Sequence, residues 1–312
     1  MTLGIWLDSW YNLYVLPDSR RAQSTKAAYG RALASIPSAV RAIELSALSG
    51  IDLQVLIRGA CDRWEIRSVS GFTDSASFSG PPCGFAGGPR AAQLLLITLR
   101  QALRIAVKLG YCSPSVIDPD VVVMPEHKPR QATVLRPDQL REYLHAAAQS
   151  EVYPLCLFAA CGLRRGEALG VRWEDIDRAS GVLTIRRQRL RINREYQTLP
   201  LKSASSYRAL VLPPSVLDAL DSWPRSFSGW VCDCTPERWN KVHKRILQIA
   251  GLPACTIHGL RHTFATIAAH QMPIKAVQQA LGHSNFKLTA DLYAAHLLLP
   301  CDAPLHVMEG VL

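Results

Sequence analysis

The sequence predicts a mostly α-helical chain in two domains, the second an α+β domain with a small antiparallel sheet. Three observations lead there. Apolar residues recur at helical spacing over much of the stretch from Ile5 to Leu109 and again from Thr235 to Leu299. Between these, Gly181 to Leu212 switches to β-prone runs, Val182-Leu183-Thr184-Ile185 and Arg208-Ala209-Leu210-Val211-Leu212, around a polar, turn-rich middle. A stretch without periodicity, punctuated by Pro114, Pro119, Pro125 and Pro129, separates the two halves as a linker. At 312 residues the chain exceeds what one small core needs.

Taken in order, Ile5, Trp6, Trp10, Leu13 and Tyr14 predict a helix from residue 5 to about 17. Ser24-Thr25 offers an N-cap for a second helix running from Lys26 toward Ile36, and a third lies near Leu53 to Trp64. Ser68 to Gly88 is rich in Gly, Ser and Pro and reads as loop. Pro89 opens a long amphipathic helix, Arg90 to Leu109, with Leu95, Leu96, Leu99, Leu103, Ala106 and Val107 on its apolar face. Arg100, Arg104 and Lys108 recur on it every four residues as one basic stripe, either a solvated face or a row of phosphate contacts. After the linker, helices are expected over Gln139–Ala148 and Val152–Cys161.

Hydrophobic residues make up 48% and charged ones 19%, which is globular composition and excludes a disordered chain. Thirty-five Lys+Arg against 25 Asp+Glu give a net charge of +10, favouring a polyanionic partner, nucleic acid before acidic membrane. No segment reads as a signal peptide or membrane span, because Asp8 interrupts the first apolar pattern and Arg100, Arg104 and Lys108 the richest one. A cytosolic chain with reduced thiols is expected, and an odd nine cysteines agree with that. Cys232-Asp233-Cys234 has no second pair at zinc spacing, so no metal site is expected.

Reactive side chains gather in three segments. The first is Cys161-Gly162-Leu163-Arg164-Arg165-Gly166-Glu167, the second Ile257-His258-Gly259-Leu260-Arg261-His262-Thr263. The third is Leu281-Gly282-His283-Ser284, with Tyr293-Ala294-Ala295-His296 following. In order and spacing this combination resembles the tyrosine recombinase family, which includes the phage integrases, over about residues 133 to 298. Residues 5 to 110 resemble, more loosely, its helical core-binding domain, with Ser24 to Tyr29 similar to the first DNA-facing helix.

The resemblance implies a set of catalytic residues: Arg164, Lys202, His258, Arg261, His283 and Tyr293, with Glu167 orienting the pocket. It also implies DNA contacts from Thr25, Lys26 and Tyr29, beside those expected of Arg100, Arg104 and Lys108. Physical chemistry agrees. Cleaving a phosphodiester with a protein nucleophile requires the nucleophile, neutralised non-bridging oxygens, a proton for the leaving oxygen and exclusion of water. Arg164 and Arg261 offer planar forks of donors that stay charged, and His258 and His283 add donors. A free tyrosine has a pKa near ~10, so Tyr293 needs that positive pocket. Lys202, in Leu201-Lys202-Ser203, matches the family's general acid, a role typically worth about 10²- to 10⁴-fold.

Plainer readings exist for each residue. The arginines suit ion pairs, His283 a helix cap, Tyr293 a core position, and Lys202 a mobile hairpin. His258 and His262 have the i, i+4 spacing of a zinc-binding helix pair, but no Glu intervenes and Arg261 lies between them. Trp173, Asp175 and Asp177 suit strand entry better than chemistry. Many integrases of this family carry a further amino-terminal arm-binding domain. The helix beginning at Ile5 leaves no room for one, which fits a two-domain recombinase or a chain without its natural start. The Ser68–Gly88 loop is longer than the family pattern, and the tail after His296 is short for a segment that docks into a neighbouring protomer.

The expectation is therefore a helical core-type DNA-binding domain (1–117), a linker (118–132) and a tyrosine recombinase catalytic domain (133–312), closing as a C-shaped clamp on duplex DNA. It would need no cofactor or metal, act as a homotetramer with accessory DNA-bending or directionality proteins, and be cytoplasmic and nucleoid-associated. A monomeric type IB topoisomerase-like relaxing enzyme and an inactive DNA-binding relic are the alternatives.

Overall fold

A computed structural model of the chain describes residues 1–61, 88–127, 132–192, 195–225 and 227–282. Most of the expected Ser68–Gly88 loop, and both His283 and Tyr293, lie outside the described residues. The chain forms two compact units, 1–129 and 130–312.

The first unit contains α1 (Leu3–Trp10), followed by a π-helical turn at Tyr11–Val15, α2 (Gln23–Ala34), the short α3 (Ser38–Arg41), α4 (Gly50–Cys61) and α5 (Pro89–Lys108). Pro89 begins α5 in the first helical turn, where its missing N–H costs nothing. Helix α5 is the spine of this unit. Leu95, Leu96, Leu99, Leu103 and Ala106 are fully buried, as the periodicity requires, whereas Val107 is half-buried. The indole of Trp6 donates to the Ala102 carbonyl at 3.2 Å, which ties α1 to α5.

Two expectations need correction here. Helix α2 starts at Gln23 with Ala22 as its N-cap, so Ser24 and Thr25 lie in the first turn and do not cap it. The supposed linker is anchored at its start: Val116 and Val122 are buried, and Pro125 accepts a hydrogen bond from Gln93. Its apolar positions are too far apart to show a period, yet they fill the seam beside α4 and α5.

The second unit runs α6 (Pro137–Ala147), α7 (Tyr153–Ala160), α8 (Arg165–Leu169), β1 (Ile176–Asp177), β2 (Val182–Ile185), β3 (Arg187–Ile192), β4 (Glu195–Pro200), β5 (Arg208–Val211), α9 (Pro214–Asp221), α10 (Pro236–Ile249), α11 (Ile257–Ala269) and α12 (Ile274–Leu281). Helix α7 is apolar on all sides and sits in the core, with Pro154 to Ala159 all buried. Tyr143 and His243, polar groups of this core, are hydrogen-bonded. Tyr143 hydrogen-bonds His243 Nδ1 at 2.7 Å, and His243 Nε2 lies 2.9 Å from the Cys255 carbonyl oxygen.

Strands β1, β2 and β5 form one antiparallel sheet, with Leu183 opposite Leu210. The polar middle expected as turns is a second sheet, the β3–β4 hairpin, in register from Arg187–Pro200 to Ile192–Glu195. Its arginines obscure the alternation, because most of the strand is only half-covered. The hairpin lies directly on α8, where a Cβ on Gly166 would come within 2.8 Å of Leu190. Gly166 is therefore needed for close approach.

Phe158 is fully buried on α7. Phe158→Ala should lower the unfolding free energy by about 3–5 kcal/mol in chemical denaturation. A loss below about 1 kcal/mol would contradict the placement of α7 at the core.

Candidate active site

Gly162 turns the chain with φ +87° after α7, and Arg164 then occupies the N-cap position of α8 in an extended conformation. Glu167, at the third helical position, accepts the Arg164 backbone N–H at 2.8 Å, satisfying one of the free amides of a helix start. The same carboxylate accepts from Arg164 Nη1 at 2.7 Å. Arg208, the first residue of β5, adds Nη2 at 2.9 Å and Nη1 at 3.3 Å. Arg261 comes from α11, which Thr256 caps by accepting from the Gly259 N–H at 2.9 Å, and its Nη1 lies 3.9 Å from Glu167.

These side chains also hold the end of α12. Arg208 Nε donates to the Ala280 carbonyl at 2.6 Å, Arg261 Nη2 to Leu281 at 2.7 Å and Arg164 Nη2 to Gly282 at 2.8 Å. Arg261 Nη1 donates in addition to the Gly162 carbonyl at 2.6 Å. The Glu167 and Arg261 side chains are buried, while Arg164 keeps 35% of its side chain accessible.

The electrostatics follow from three guanidiniums around one carboxylate. Burial works to raise the Glu167 pKa, but hydrogen bonds from Arg208 and Arg164 outweigh it and keep the acid ionised. Desolvation, then the like charge of Arg164, pulls Arg261 down to about 9, which leaves it charged at neutral pH. His258, one turn before His262, keeps an accessible edge. Desolvation together with His262, Arg261 and Arg164 depresses its imidazole to about 4, so it is neutral at pH 7. The His258 and His262 rings meet edge to face at 4.6 Å. Among the described residues no three of His, Cys, Asp and Glu gather as a metal site.

The structure thus brings together Arg164, Glu167, Arg261 and His258. Lys202 lies exposed in the loop after β4, and no hydrogen bond joins it to the cluster among the described residues. The loop is stapled by Ser203, whose hydroxyl lies 2.9 Å from those of Ser205 and Ser206. Arg208 is the cluster member that sequence reasoning missed. A signal existed, since strand alternation puts Arg208 on the face of Leu210, which packs on the core.

In the first unit, Lys26 and Tyr29 do not face outward as expected. Lys26 is 7% exposed and donates to the Leu16 carbonyl at 2.5 Å, while Tyr29 stacks on Trp10 and accepts from Gln101 at 2.8 Å. The long aromatic ring and lysine stem pay for their burial by packing, which a motif match does not reveal. Thr25 is half-buried. Of the α5 stripe, Arg104 and Lys108 are exposed, whereas Arg100 turns back to the Val122 carbonyl at 2.6 Å. Lys241, Lys244 and Arg245 form a further exposed basic face on α10, which the sequence reading did not single out.

Residues 233–298 match the phage integrase family. A tyrosine recombinase XerC-like protein of Caldanaerobacter subterraneus subsp. tengcongensis is 28% identical over 232 residues, 62% of this chain and 59% of that protein. The chain thus spans about three fifths of that curated relative's length. The integrase of transposon Tn1549, solved in complex with transposon right-end DNA, superposes with a TM-score of 0.71 at 18% identity, covering 99% of each chain. A lambda integrase tetramer bound to a Holliday junction superposes with a TM-score of 0.64 at 19% identity, covering 91% of this chain and 78% of that one. At these identities the two structures establish the fold.

His258 in the free protein should titrate near 4 by NMR, against 6.5 for an unperturbed imidazole. The unfolded chain then binds the proton first, so stability should fall as pH drops from 6.5 toward 4. A free-protein midpoint near 6.5 would contradict the desolvation of His258 beside His262, Arg261 and Arg164.

Proposed function

From this chain's membership of the tyrosine recombinase family, with its phage integrase segment at residues 233–298, we propose that it cuts and rejoins duplex DNA through a covalent bond to Tyr293. The observation that carries this reading is the convergence of Arg164 and Arg261 beside His258, anchored on Glu167. Two guanidiniums at one place supply what a phosphodiester needs as it becomes pentacoordinate, namely fixed donors for its non-bridging oxygens. Arg164, with its accessible edge, takes one oxygen, and Arg261 takes the other. His258, neutral before DNA binds, has a free lone pair to accept the Tyr293 proton or an N–H to donate to the phosphate. His283 adds a second imidazole donor.

Tyr293 attacks phosphorus and the bond to the 5′-oxygen breaks, leaving a 3′-phosphotyrosyl linkage. Lys202 gives the departing oxygen its proton. The free 5′-hydroxyl of a partner strand then attacks, displaces the tyrosine and restores the DNA backbone. The charge that a metal ion would supply comes from the guanidiniums.

Two rounds of this exchange within a homotetramer integrate or excise a phage or other mobile element. The lambda integrase that shares the fold is a tetramer on a Holliday junction, which supports that assembly. Accessory DNA-bending or directionality proteins and a place at the nucleoid belong to the same reading. The match to the phage integrase family favours it over a relaxing enzyme of the type IB topoisomerase kind. The intact set of six side chains speaks against a relic. Arg104 and Lys108 on α5 meet DNA phosphates from the first unit, and Thr25 lies close enough to the surface of α2 to join them.

Incubation with nicked duplexes in excess chelator should give a covalent protein–DNA adduct that Tyr293→Phe abolishes without loss of DNA affinity. An adduct formed by the Phe variant would assign the nucleophile elsewhere, and loss of the adduct in chelator would overturn the metal-free step.

Lys202 has a separate test. A 5′-bridging sulfur leaves as a thiolate, with a pKa of roughly 8.5, and needs no proton. Lys202→Ala should cleave ordinary DNA about 10²-fold more slowly yet cleave the phosphorothiolate almost normally. Equal defects on both substrates would remove Lys202 from the acid role.

A further inference from the structure

Helix α12 ends with three successive carbonyls, Ala280, Leu281 and Gly282, each held by a different guanidinium. Terminal carbonyls lack partners within the helix and carry the negative end of its dipole, so cations are favoured there. Arg164 and Arg261 have a use in the cleavage step, whereas Arg208 has none so far. Its side chain is only 7% exposed. Four of its five N–H groups are committed: Nε to Ala280, Nη1 to Glu167 and Ser206, and Nη2 to Glu167. It therefore has little left to offer a substrate.

Gly282 bears independently on the same contact. It adopts φ +64°, and a Cβ there would lie 3.0 Å from Arg208 Nη1 and 3.0 Å from the Ser205 carbonyl oxygen. The turn that leads into His283 is thus both left-handed and tight against Arg208, two conditions that only glycine meets easily.

We infer that Arg208 is a positioning residue of the cleavage centre, clamping Glu167 to the end of α12 so that Arg164 and the Gly282 turn keep one arrangement. This inference rests on the recombinase reading for its catalytic consequence, but the clamp itself is a property of the fold. The charged groups facing Glu167 are Arg164 from the turn before α8, Arg208 from β5 and Arg261 from α11, with His258 of α11 beside Arg164 and Arg261. Without Arg208, Glu167 loses two of its hydrogen bonds and burial dominates, which favours its protonated form. A protonated Glu167 accepts poorly from Arg164 and frees that guanidinium to turn away. Lysine keeps the charge but cannot bridge Glu167, Ser206 and Ala280 together.

The test compares Arg208→Lys and Arg208→Met with the parent in two measurements. The first is single-turnover adduct formation on a nicked duplex at saturating DNA, across pH, with DNA affinity measured alongside. The second follows the Glu167 carboxyl by NMR of ¹³C-labelled glutamate, assigned by its loss in Glu167→Gln. Both variants should bind DNA within about two-fold of the parent and cleave at least ~10-fold more slowly, the size usual for residues that orient an active group. Their rate should also begin to fall at higher pH than the parent's on acidification, because the carboxylate is the competent form and its pKa has risen. The Glu167 titration should move up in step.

A merely structural Arg208 would lower the melting temperature and leave the pH profile and the Glu167 titration where they were, and that result overturns the inference. If Arg208→Met does not fold, Arg208→Lys decides by the same readouts. If the parent forms no adduct on any nicked duplex, the recombinase reading fails, and the Glu167 titration alone decides whether the clamp exists.

Discussion

The candidate site depends on one buried carboxylate. Glu167 sits in the core with its side chain only 2% exposed, a location that is costly for a charge without partners. It is tolerable because Arg164 and Arg208 hydrogen-bond it and Arg261 stands 3.9 Å away. Three guanidiniums against one carboxylate leave two positive charges in excess in a poorly solvated space. Desolvation first, and that excess second, depress the pKa of Arg261 to about 9 and of His258 to about 4. The cluster is an ion network with positive charge in excess, and on the proposed reading a DNA phosphodiester supplies negative charge where it increases during cleavage. On that reading, the charge balance that lets Glu167 stay buried also prepares the site for a phosphate.

The scaffold serves this network in specific ways. The apolar helix α7 leads into the Gly162 turn that delivers Arg164, and Gly166 lets the β3–β4 hairpin lie tightly over α8. Strand β5 brings Arg208 in from the opposite side, and α11 contributes Arg261 and His258 from one face. The arginines then bind the last carbonyls of α12, so the position of that helix depends on the same side chains that would receive phosphate.

Much of the site was legible in the sequence because its first parts are local. Arg164 and Glu167 are three residues apart in one turn, and His258 and Arg261 share one helix face, so short motifs reveal them. Arg208 was not legible as a cluster member because its partners are distant in sequence, 41 residues away at Glu167 and 72 at Ala280. Only the fold brings them together. Lys26 and Tyr29 failed for another reason. Both are amphipathic side chains whose apolar parts fit a core, and a motif match fixes neither the phase of the helix nor its direction of burial. The β3–β4 hairpin is not legible as strands because its arginines occupy positions where an alternating strand is expected to be apolar.

The dependence of the site on Glu167 can be measured directly through Glu167→Gln, which keeps the shape of the side chain and removes its charge. This variant should bind DNA as the parent does, since no cation is lost, yet form the covalent adduct about 10- to 100-fold more slowly. Adduct formation at the parental rate would contradict that dependence, because the arginines would then hold their positions without the carboxylate on which the whole cluster is built.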